Sequence, residues 1–207
     1  MGSFPFPFLT IFLIGIVILS IKLRSSEKKQ EEKMERFWEK EKQAKAAPDK
    51  DLSTIQYVVF PVDDFNMGEI FDTDTELIEE SLITLSKTRM LNINGMTNTD
   101  IRLEYGASNL DEVAEYGENF SKMTMLICDY AKSLMEHDKY EEATKVLEYG
   151  MRVGSDISSN YTLLGDCYVK TKDMASFDNL IAEVEKMSLP RKKRVSDYLL
   201  ELKNTGV

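Results

Sequence analysis

The chain reads as a mainly α-helical protein: an N-terminal membrane-spanning helix, a charged helical stalk, and then a helical-hairpin array with one short extended segment. Three observations predict this. No residue from 4 to 21 is charged, and the run stops at Lys22 and Arg24. Residues 25–47 are dense in Glu, Lys and Ala, which favour helix. From residue 108 onward apolar side chains return every three or four positions, the period of a helix with one buried face. The expected divisions are an anchor over 1–24, a stalk over 25–50, the N-terminal part of a soluble domain over 51–107, and the array with its capping helix over 108–207.

The anchor is expected because residues 4–21 would rise about 27 Å as a helix, close to the roughly 30 Å of a bilayer's hydrocarbon core. No Lys or Arg precedes the run and no small-x-small site follows it, so it does not read as a cleaved signal peptide. Lys22, Arg24, Lys28, Lys29, Lys33 and Arg36 all follow it, which predicts an outside N-terminus and a cytoplasmic domain in a single-pass membrane protein.

Residues 1–50 hold ten Lys or Arg and seven Asp or Glu. Of the chain's 26 bases and 36 acids, residues 51–207 therefore keep 16 and 29, a net charge of −13. Such a domain lacks the basic face that displaces phosphate counterions, which excludes a general nucleic-acid binder. Cys128 and Cys167 are too few for a disulfide framework, and with His137 as the single histidine no Cys/His zinc set can form. No metal and no cofactor is expected.

The stalk carries opposite-charge pairs at i,i+4, namely Lys28–Glu32, Glu32–Arg36 and Glu41–Lys45. Its large apolar residues, Met34, Phe37 and Trp38, sustain no heptad seam, which argues against a coiled coil, and Phe37 and Trp38 are expected to pack on the domain. Pro48 ends it. Residues 57–62 (YVVFPV) are β-branched and aromatic and predict an extended segment, alone on the helices or as half of a small hairpin. Leu77, Ile78, Leu82 and Leu85 share one face of a helix capped at Thr73 or Asp74. Residues 92–100 (NINGMTNTD) read as a polar connection with a tight turn at Asn94-Gly95.

Ser108 or Asn109 then caps a helix whose apolar phase is unbroken to about His137. After a turn at Asp138, residues 140–151 resume the helix. Ile127, Tyr130, Ala131 and Leu134, followed by Tyr140, Ala143, Leu147 and Gly150, resemble the two helices of a tetratricopeptide repeat. Thirty-four residues on, Tyr161, Leu164, Gly165 and Tyr168 repeat the first set, while Phe177 stands where that family has Ala. A last helix with Val195, Tyr198, Leu199 and Leu202 on one face would cap the open end. The chain also resembles small membrane-anchored helical proteins of Gram-positive bacteria that carry no assigned activity.

The resemblance implies a protein-interaction module whose inner face would include Cys128, Lys132, Met135, Thr162, Asp166, Val169 and Lys170. Its partner would be an unidentified protein or peptide met at the cytoplasmic membrane surface, with the membrane held through residues 4–21. A structural, self-associating protein is the alternative. An enzyme is not expected, because no phosphate loop, H-E-x-x-H or G-x-S-x-G occurs. A candidate site for one would be the loop at Asn94, Asn98 and Asp100 beside Tyr57. Adjacent acids such as Glu79-Glu80 read as solvated faces, and Arg191 to Arg194 as a solvated helix cap.

Overall fold

A computed structural model describes residues 6–187 and 189–205, though not the side chains at 6–10, 13, 15, 17–19, 21, 23, 25 and 26. Among the described residues it holds eight α-helices and no strand: α1 (Phe6–Ala46), α2 (Thr73–Leu85), α3 (Asn98–Tyr105), α4 (Leu110–Glu136), α5 (Tyr140–Arg152), α6 (Ser158–Thr171), α7 (Met174–Lys186) and α8 (Lys192–Thr205).

The membrane-spanning helix is corrected. Among the described residues no helix is long and apolar enough to cross a membrane. The described part of the uncharged run within α1, residues 6–21, rises about 24 Å, against the roughly 30 Å of a bilayer's hydrocarbon core. Nothing separates this run from the charged stretch, since α1 continues as one helix of 41 residues. The single-pass topology, the outside N-terminus and the cytoplasmic placement of the domain rested on that span and fall with it. Most of the expected span, residues 4–10, 13, 15, 17–19 and 21, lies outside the described residues or side chains.

The end of α1 docks on α3. Ala44 is fully buried there. Arg102 donates from Nη2 to both carboxylate oxygens of Glu41 at 3.1 and 2.9 Å, Thr99 also donates to Glu41, and Lys40 pairs with Asp100 at 2.5 Å. Phe37 and Trp38 do not pack on the domain. They stand 51% and 62% exposed, edge to face with each other at 5.3 Å.

Helix α3 occupies the end of the segment read as a loop. Its start is fixed by a reciprocal cap: the Thr97 N–H donates to Asp100 Oδ2 at 2.9 Å and the Asp100 N–H to Thr97 Oγ1 at 3.2 Å. Residues 57–61 take no regular secondary structure and have no sheet partner among the described residues. Their backbone is tied by the Val58 N–H to the Met90 carbonyl at 2.9 Å and by the Tyr149 hydroxyl to the Val59 carbonyl at 2.8 Å. Phe60, 2% exposed, stacks on Phe65 and meets Tyr149 edge-on.

Helix α2 runs antiparallel to α4, with Thr75 against Ser133 and Leu82 fully buried between them. Glu79 departs from the expected solvated face. It is 6% exposed, and its Oε2 accepts the Gly68 N–H at 2.8 Å, which pins the preceding loop. Helices α4 to α8 then stack as successive hairpins, each packing on its neighbours. The two hairpin turns repeat at 34 residues. Asp138 and Lys172 both take left-handed backbone (φ 57° and 61°). After them the Lys139 N–H bonds the Leu134 carbonyl at 2.8 Å, and the Asp173 N–H bonds the Tyr168 carbonyl at 2.9 Å. One main core, including Ile127, Tyr130, Leu147, Tyr161, Phe177 and Leu199, runs through α2 and α4 to α8. A smaller one joins Leu52, Leu91, Ile101, Val113 and Tyr116.

Candidate functional site: the groove between α6 and α8

The site begins with a missing side chain. A Cβ on Gly165 would lie 2.5 Å from Leu199 Cδ2 and 3.4 Å from Phe177 Cε2, so only glycine lets α8 come this close to α6. Val195 and Leu199, 1% and 0% exposed, fill the contact from the α8 side. Thr162, about one turn before Gly165, and Asp166, the next residue after it, are then left on the open edge of the contact, facing polar residues of α8. The result is a groove of about 720 Å³.

The groove is polarised along its length. Arg191 and Arg194 stand at the start of α8, beside Ser158 and Ser159 at the start of α6, and Asp166, Asp197 and Glu201 line the remainder. Tyr198 joins the walls, its hydroxyl donating to Asp166 Oδ1 at 2.7 Å. Burial raises the Asp166 carboxyl above the usual carboxylate range, partly offset by that hydrogen bond and by the Lys170 charge. Burial, then the bond to Asp166, pushes the Tyr198 hydroxyl up to about 12, so it remains a donor at neutral pH. Arg191 holds left-handed backbone (φ 57°), which turns the chain into α8.

The seven residues of the expected face differ in exposure and in what they touch. Thr162 and Asp166 line the groove. Lys132 is exposed and bound to Asp129 at 2.8 Å, and Lys170 is exposed with its ammonium 5.8 Å from the Tyr140 ring centre. Met135 and Val169 are half-buried against the core. Cys128, 3% exposed, belongs to the core itself. Burial pushes its thiol, and that of Cys167, up to about 12.

The α8 wall was not among the residues expected to bind. The sequence carries a signal for it in the repeat spacing: 34 residues beyond Tyr161, Leu164 and Gly165 stand Val195, Tyr198 and Leu199. Arg191 and Arg194, read as a solvated cap, line the groove.

The loop proposed as an enzyme site is spent on structure. Asn92 Nδ2 donates to the Val153 and Gly154 carbonyls at 2.9 and 3.2 Å, and Asn94 Nδ2 to Gly154 at 3.2 Å, while Asp100 caps α3. Among the described residues no three His, Cys, Asp or Glu side chains stand close enough to hold a metal ion. No protein-family model, no curated protein and no solved structure matches the chain.

Proposed function

We propose that the chain is a protein-interaction module of stacked, tetratricopeptide-like hairpins that receives an extended peptide segment in the groove between α6 and α8. The observation that carries this reading is the polarised groove itself: arginines and hydroxyls at one end, carboxylates at the other, and the Tyr198–Asp166 bond between its walls. A peptide with acidic residues ahead of or behind basic ones matches both ends in one orientation, which is how charge gives register more than raw affinity.

Selection from a random peptide library on the immobilised full chain tests it. Bound sequences should carry segregated charge. The double variant Arg191→Glu, Arg194→Glu should lose acidic residues from the selected set, and Asp197→Lys, Glu201→Lys should lose basic ones. Selected sets that ignore both variants would remove the groove as the docking site.

A further inference from the structure

We propose that residues 27–40 of α1 form a parallel helix pair with the same stretch of a second copy of this chain. This stands apart from the groove reading, because it concerns a different surface. Met34, Phe37 and Trp38 are 56%, 51% and 62% exposed, and an open cleft of about 580 Å³ lies along Gln30, Lys33, Met34 and Phe37. At about 100° per residue, Gln30, Met34, Phe37, Glu41 and Ala44 fall on one face of the helix. The last two are covered by α3. The same face therefore leaves the shelter of α3 near Lys40 and runs on, uncovered, toward Gln30.

The charges beside this face choose its occupant. On one flank, within a sector of about 60°, lie Lys29, Lys33 and Arg36, with Lys40 beyond them. On the other flank lie Glu27, Glu31 and Glu35, with Trp38 beyond them. Lys40 is already bound to Asp100, but the other six charged side chains are exposed. When two copies meet face to face in parallel, a two-fold axis along the helices sets the basic flank of each against the acidic flank of the other. In an antiparallel pair the axis is perpendicular, and base meets base and acid meets acid. Flank charges of this kind set partner and orientation in paired helices. The face thus complements itself in parallel and repels itself in the opposite sense. The pairing also lets Lys33 of each copy approach the face of Trp38 across the seam, a favourable contact for an ammonium.

Single-cysteine cross-linking of the full chain with a short bis-maleimide tests this, since Cys128 and Cys167 are buried. Gln30→Cys and Phe37→Cys should each link to themselves. Glu31→Lys with Glu35→Lys should lower the Gln30→Cys self-link about tenfold, the summed effect of several weak exposed pairs. Mixing that variant with Lys29→Glu, Lys33→Glu, Arg36→Glu, each carrying Gln30→Cys, should restore it. The proposal is overturned if neither single cysteine links to itself, if links form only between a 30 and a 37 variant, or if the charge reversals change nothing.

Discussion

Gly150→Ala sets two opposing effects against each other in the hairpin core. In an open helix the change would stabilise by up to about 1 kcal/mol, because glycine loses more backbone freedom on folding than alanine. Here the new Cβ would lie 2.1 Å from Asn160 Oδ1, 3.1 Å from Asn160 Cγ and 3.3 Å from Ile127 Cγ2. Asn160 is fully buried, and its Nδ2 donates to the Leu147 carbonyl at 2.8 Å. Overpacking of a dense core costs about 1–3 kcal/mol. Pushing the Asn160 amide off the Leu147 carbonyl leaves a buried donor and acceptor unpaired, a further cost of about 1–3 kcal/mol. Against the helix gain, the net expectation is a loss of roughly 2–4 kcal/mol. Urea unfolding followed by helical circular dichroism reads it as a lower midpoint at unchanged slope. Gly150→Ala with Asn160→Ala should be less destabilised than the two single changes added together, with a coupling of about 1 kcal/mol or more. A Gly150→Ala protein as stable as the parent would refute the close approach of α5 and α6 at this point.

Three further outcomes are expected. Lys172, held at φ 61°, should gain about 0.5–1 kcal/mol on change to glycine, seen as a higher melting temperature, because the left-handed turn then carries no Cβ penalty. Both thiols, buried and pushed up to about 12, should resist a thiol reagent at pH 8 in the native chain and react together once it is unfolded. In the α1–α3 contact, Asp100 is held below the usual carboxylate range by Lys40 first and then Thr97, and Glu41 by Thr99 first and then Arg102. Depressed carboxyls stabilise the folded form above the ordinary value of about 4, and that contribution fades as pH falls below it. Limited proteolysis after residue 46 should therefore quicken below about pH 4, and Arg102→Ala should quicken it already at neutral pH.

The array was legible in the sequence because its signal is periodic and local. Ile127 to Leu134 and Tyr161 to Tyr168 keep both the helical and the 34-residue spacing, and α4 follows them as one helix. Helix α3 was hidden because its cap, Thr97 with Asp100, sits among turn-forming residues and its core contact is a single buried side chain, Ile101. The docking of α1 was hidden because it is made by charged residues, Lys40 and Glu41, around one alanine, a pattern that reads as solvated helix. The apolar run at the N-terminus is uncharged, yet among the described residues no helix is long and apolar enough to cross a membrane. Half of the groove was legible, since Thr162 and Asp166 follow from the repeat. Its other wall depends on which face α8 presents to Gly165, and that is a tertiary choice.

The most direct test of the groove as the docking surface is a titration of the isotope-labelled full chain with a peptide selected on it, followed by backbone amide chemical shifts. The account predicts that shifts concentrate at Thr162, Asp166, Arg194 and Tyr198, and that they vanish in the Arg191→Glu, Arg194→Glu variant while the fold is kept. Shifts centred instead on another open groove, between α2 and α4 at Leu85, Met125 and Leu126, or undiminished shifts in the variant, would contradict it.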